Sequence, residues 1–133
     1  MNATIERVLR ESRTWAVVGC SPDPWRTSHR IARVLQEAGY RVIPVNPAAQ
    51  EILGERCFAS LAEIGEPVDV VDVFRRTELA GAHVDEAVAI GARAVWCQLD
   101  VYAGEAGDRA RAAGLDVIEN ACPAIELPQL PRA

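Results

Sequence analysis

The chain has 133 residues, half of them apolar and a quarter charged. That is one domain's length and an ordinary globular composition, which excludes disorder. Fourteen basic residues against 19 acidic ones leave a net charge of −5, without the overall basic footprint of a nucleic-acid binder. Every basic residue is arginine, so neither a Schiff-base lysine nor a Walker-type phosphate lysine is available.

No apolar run is long enough to cross a bilayer, and the opening MNATIERVLRESR reads as a polar helix rather than a signal peptide or membrane segment. The expected location is the cytoplasm. Cys20, Cys57, Cys97 and Cys122 form no C-x-x-C pair and lie far in sequence from His29 and His83. The spacing argues against a zinc site and for reduced thiols.

Taken in chain order, Ile5, Val8 and Leu9 give the opening helix an apolar stripe, to be packed at an edge of a sheet. Short β-branched runs follow at 15–19, 41–45, 68–73, 94–97 and 115–118, as expected of strands buried on both faces. Residues 26–38 place Ile31, Val34, Leu35 and Ala38 on one helical face, with Thr27 or Ser28 as cap and Gly39 as stop. Helices over 77–90 and 102–113 end the same way at Gly91 and Gly114, the second weakened at its start by Gly104 and Gly107. Between the second and third strands lies only a short turn with a capping-box pattern, Ser60-Leu-Ala-Glu63. Residues 123–133, with three prolines, read as an extended tail laid over the domain and frayed at its end.

Strand and helix in alternation predict an α/β fold: a Rossmann-like three-layer sandwich with five parallel strands and helices on both faces. In such a sheet ligands bind beyond the carboxyl ends of the strands, where strand order reverses. The loop after the first strand, Gly19-Cys-Ser-Pro-Asp-Pro-Trp-Arg-Thr-Ser28, runs into a helix N-terminus, whose free N–H groups and partial positive charge suit a phosphate. Ser21, Thr27 and Ser28 add hydroxyls and Arg26 a bidentate cation, although the loop has one glycine instead of the three of a dinucleotide turn. The second strand ends in Asn46-Pro47, where an NAD-preferring fold places a carboxylate for the ribose. Of Arg75 and Arg76, one is expected to face the cleft; the alternative is two solvated arginines paired with Glu78 or Asp72. Trp96 reads as core or ligand contact, and Gln98 as a group able to hydrogen-bond an amide.

The segments WAVVGCSPDPWRTSHRIARVL, GYRVIPVNP, GERCFASL, VDVVDVFRR, GARAVWCQL and GLDVIENACPAIEL together resemble the small bacterial and archaeal CoA-binding proteins. These are single Rossmann-like domains similar to the N-terminal domain of the succinyl-CoA synthetase alpha subunit. The resemblance spans residues 5 to 130 and implies coenzyme A as ligand. It implies Gly19, Cys20, Ser21, Arg26, Thr27 and Ser28 at the pyrophosphate, and Val45, Asn46 and Pro47 beside the adenosine. Val73, Phe74 and Arg75 would flank the adenine and phosphates, with Trp96 and Gln98 along the pantetheine path. Cys20 stands where a small or apolar residue is common, which would put a thiol beside the ligand. The synthetase's second domain, with its phosphorylated histidine, has no counterpart, and neither His29 nor His83 sits in a matching context. The surface which that domain would cover is left open to self-association or another protein. Three functions fit the residues. The first is a noncatalytic module for CoA or an acyl-CoA, with no nucleic-acid or membrane partner. The second is an NAD(P)-dependent oxidoreductase or redox sensor. The third is a small CoA-thioester enzyme, or one using Cys20, whose pKa a helix N-terminus can lower.

Overall fold

The computed structural model describes residues 1–131. The first helix, α1 (Ala3–Glu11), is capped by Asn2, whose side chain accepts from the N–H groups of Thr4 and Ile5. Its apolar residues Ile5, Val8 and Leu9 are buried, and the helix touches the edge strand Asp116–Ile118, where Arg7 pairs with Asp116. Then come β1 (Thr14–Val18), α2 (Thr27–Glu37) and β2 (Arg41–Val45). They are followed by β3 (Glu51–Ile52), β4 (Glu55–Arg56), β5 (Val70–Val73) and α3 (Thr77–Ala89). The chain finishes with β6 (Ala94–Cys97), α4 (Gly104–Ala112), β7 (Asp116–Ile118) and α5 (Pro123–Glu126).

Five strands form one parallel sheet in the order β2-β1-β5-β6-β7. The expected five-stranded α/β sandwich is therefore present, with element ends within two residues of the sequence reading. Chain progression runs outward one way from β1 to β2 and the other way from β5 to β7, so the sheet reverses order between β1 and β5. That reversal leaves a crevice at their carboxyl ends. Asp69 explains one polar interruption of the third apolar run. Its Oδ2 accepts the N–H groups of Arg13 at 2.8 Å and Thr14 at 3.0 Å, fixing the entry into β1.

Two apolar layers hold the sheet. On one face Val71, Val73 and Val95 pack with α3 and α4 through Ala80, Val84, Ala106 and Ala110. On the other, Trp15, Val17 and Trp96 pack under α1, α2 and the C-terminal segment. The Trp15 and Trp96 rings lie 5.5 Å apart and tilted, a favourable aromatic arrangement. Both indole N–H groups are satisfied, by Ser12 Oγ and by the Ala121 carbonyl, each at 2.9 Å.

Three expectations need correction. The expected extended tail begins with a short helix: Pro123 occupies its first turn, where a fixed φ and a missing N–H cost nothing. The fraying assigned to the chain end concerns residues 132–133, which lie outside the described residues. The hairpin β3–β4 was not foreseen, because two-residue strands leave no periodicity and its turn places Leu53 beside Gly54, both at positive φ. The N-cap of α2 is Arg26, not Thr27 or Ser28, and it makes no side-chain cap bond. All four cysteines are unbonded and buried, and no helix among the described residues is long and apolar enough to cross a membrane.

Candidate functional site

Gly19 is the pivot of the crevice. The chain leaves β1 with its N–H donated to the Val45 carbonyl at 3.0 Å and turns at φ +82°. A Cβ at this position would stand 2.6 Å from the Phe74 carbonyl oxygen, at the end of β5. Only glycine lets the two strand ends approach this closely.

The following loop is held by its own side chains. Ser28 Oγ accepts the Ser21 N–H at 2.9 Å, Ser21 Oγ accepts from Asp23, and Asp23 Oδ1 accepts from Trp25. His29 Nδ1 lies 2.9 Å from the Ser21 carbonyl; since a carbonyl can only accept, that nitrogen carries the proton. Ser28 Oγ thus accepts one bond within the loop, and its hydroxyl proton meets no acceptor among the described residues. The N–H groups of Thr27, Ser28 and His29 open the helix α2 and meet no acceptor among the described residues. No acidic residue occupies that first turn, so the positive end of the helix is unneutralised.

Across the crevice Asn46 locks two loops together. Its Nδ2 donates to the Cys20 carbonyl at 2.9 Å, and its Oδ1 accepts the Ala48 N–H at 2.8 Å. The result is a cleft of about 400 Å³ lined by Gly19, Ser21, Arg26, Val45, Asn46, Pro47, Phe74 and Arg75. A second cleft, of about 380 Å³, adjoins it over Trp25, Thr27 and Ser28. Ala59 and His83 also line the first, two residues that sequence patterns gave no reason to include. No carboxylate lines either cleft, although the chain carries a net charge of −5. Arg26 and Arg75 both reach the cleft, and neither forms an ion pair among the described residues. Arg76 points away, 3.8 Å from Glu78. The geometry suits an anionic ligand with phosphate at the α2 N-terminus.

Four of the expected residues do not open onto the cleft. Val73 and Trp96 are fully buried in the two apolar layers. Gln98 is buried, its Nε2 donating to Asp72 Oδ1 at 2.5 Å. The Cys20 side chain turns inward as well, and only its carbonyl faces Asn46. Burial, with Cys57 and Asp72 nearby, pushes the Cys20 thiol up to about 12. The lowered pKa expected from the helix N-terminus is reversed, because desolvation of the thiolate outweighs the helix end. Asp72, on β5 beneath this loop, is fully buried, and its Oδ2 has no hydrogen-bond partner. Burial outweighs the Gln98 bond and pushes its carboxyl up to about 8, so the group is neutral at pH 7.

With this geometry in place, the sequence can be set against known proteins. A family model described as the CoA binding domain matches residues 13–128. The chain belongs to the CoA-binding domain family. It is similar to the uncharacterized protein YneT of Bacillus subtilis, with 40% identity over 120 residues that make up 90% of this chain and 89% of YneT. A hypothetical protein from Pyrococcus horikoshii shares the CoA-binding domain's architecture at a TM-score of 0.90 and 37% identity, over 95% of this chain and 89% of that one. The dinucleotide-forming acetyl-coenzyme A synthetase 1 of Ca. Korarchaeum cryptofilum, solved with phosphate and ADP, matches at a TM-score of 0.72 and 26% identity. The match covers 85% of this chain but only 26% of that enzyme.

Proposed function

We propose that this protein binds coenzyme A or an acyl-CoA through its phosphates and adenosine, at the carboxyl ends of the parallel strands, without catalysing a reaction itself. The observation that carries the reading is the carboxylate-free cleft at the β1/β5 reversal, where the open start of α2 meets the unpaired Arg26 and Arg75. In this reading Gly19, Ser21, Arg26, Thr27 and Ser28 serve the pyrophosphate. Val45, Asn46 and Pro47 border the adenosine, and Phe74 and Arg75 flank it. Two observations disfavour the alternatives. The Asn46 side chain is neutral and held by Cys20 and Ala48, so no carboxylate stands where an NAD-preferring fold meets the ribose hydroxyls. The Cys20 thiol is buried and protonated, which removes the one candidate nucleophile of a cysteine enzyme. Membership of the CoA-binding family and likeness to part of an acetyl-coenzyme A synthetase support the same ligand.

Thermal unfolding with added ligand tests this. CoA at 100 times its dissociation constant should add about 2.7 kcal/mol of stability, and NAD or NADP at the same concentration much less. An equal or larger shift with NAD overturns the reading. Mass spectrometry of ligand released from natively purified protein would identify the acyl group.

A further inference from the structure

We propose that Arg56, held over the Phe58 ring, reads a phosphate on the ribose of the bound nucleotide; the proposal rests on the CoA reading above. The placement comes from the hairpin β3–β4 and its exit. Phe58 donates its N–H to the Pro44 carbonyl at 3.1 Å, and its own carbonyl accepts from Asn46 at 2.9 Å. A one-residue parallel bridge, Val45 to Phe58, thus stitches the hairpin to the carboxyl end of β2. The Arg56 guanidinium lies 4.8 Å from the centre of the half-buried Phe58 ring. A groove of about 620 Å³ runs past Arg56 and Phe58 and shares Ala59 with the cleft at Asn46-Pro47.

Charge singles this arginine out. The Asn46-Pro47-Ala48-Ala49 turn carries none, and Arg56 is the cation lining the groove that meets this end of the cleft at Ala59. Arg41, Arg109 and Arg111 are all engaged by carboxylates, whereas the Arg56 side chain makes neither an ion pair nor a hydrogen bond among the described residues. Glu51 is its cross-strand neighbour, and Glu63 lines the same groove, but Glu63 accepts the Ala59 N–H and neither reaches ion-pair distance of Arg56. The ring beneath restrains the guanidinium and leaves its N–H fork free for a bidentate phosphate contact. In nucleotide-binding α/β folds the end of the second strand meets the ribose, where an arginine accommodates a ribose phosphate. The pyrophosphate is already provided for by α2 and Arg26, a crevice away.

Calorimetry on wild type, Arg56→Ala and Arg56→Gln separates the possibilities, using CoA, dephospho-CoA, NADP and NAD. Wild type should favour CoA over dephospho-CoA by about 10- to 100-fold, the worth of a charge-assisted bond. Both variants should lose most of that preference while binding dephospho-CoA within about twofold of wild type. Arg56 is exposed on a hairpin, and the glutamine variant keeps its length should alanine loosen the turn. Equal losses for CoA and dephospho-CoA, or no loss, overturn the role of Arg56 and leave the CoA reading standing. Preference for NADP over NAD, abolished in the variants and without CoA binding, would uphold the phosphate reader and overturn CoA as ligand. Absence of binding to all four overturns both.

Discussion

Replacing Asp72 by Asn should make the protein's stability far less sensitive to pH. Asp72 is fully buried on β5, accepts one hydrogen bond from Gln98 and leaves Oδ2 without a partner. Its carboxyl holds a proton up to about pH 8 in the folded chain, against 3.8 for the ordinary side chain. Between those values the folded state binds more protons than the unfolded one, so stability falls as pH rises. The penalty is absent below pH 3.8 and complete above about pH 8. At 1.36 kcal/mol per pH unit, the gap of about four units amounts to on the order of 5 kcal/mol, a large share of a domain's 5–15 kcal/mol. Asparagine has the shape of the protonated acid and never ionises, and the Gln98 amide can turn to meet either of its polar atoms. Urea unfolding at pH 5 and pH 8.5 gives the comparison. The difference in stability between wild type and Asp72→Asn should move by several kcal/mol in the variant's favour at the higher pH, with equal m-values. A difference that stays constant between the two pH values would mean that Asp72 is ionised in the folded protein and compensated, and the burial argument would fail.

Two further expectations follow from the geometry. Gly19→Ala should cost about 2–4 kcal/mol against about 1 kcal/mol for Gly91→Ala, measured by urea unfolding: both sites have positive φ, but only at Gly19 would a Cβ strike backbone, at 2.6 Å, so equal costs would show that the β1 and β5 ends yield freely. Native-state alkylation should leave Cys20 and Cys97 unmodified at pH 8, since both thiols are buried and pushed up to about 12, while denatured protein reacts at all four cysteines; rapid native labelling of Cys20, read by peptide mass spectrometry, would contradict its inward orientation.

The layout of the sheet was legible because its strands are buried on both faces and their β-branched runs stand out between glycine-terminated helices. The positions at which the chain leaves each strand were legible for the same reason, which is why Gly19, Asn46, Phe74 and Arg75 all meet at one cleft. Side-chain direction at those exits was not. Successive residues of a strand point to opposite faces, so Val73 faces the core while Phe74, its neighbour, lines the cleft. Trp96 and Gln98 stand two apart and both turn inward, one to the Ala121 carbonyl and the other to Asp72. Those partners lie 25 and 26 residues away in sequence and leave no local signal. Arg56 was hidden for another reason: a two-residue strand has no pattern, and its position depends on a single bridge between Phe58 and Val45.

The three tryptophans divide the molecule optically. Trp15 and Trp96 are sealed in one apolar layer, in contact with each other, while Trp25 is 85% exposed on the loop that lines the second cleft. Indole emission moves to longer wavelength as the ring meets water, so the red component of the fluorescence belongs to Trp25 and the blue component to the core. A ligand seated in the cleft at the start of α2 should alter the first and leave the second, while unfolding should alter the second. Occupancy and integrity of the fold are thereby written in two separate colours, by residues the protein already carries.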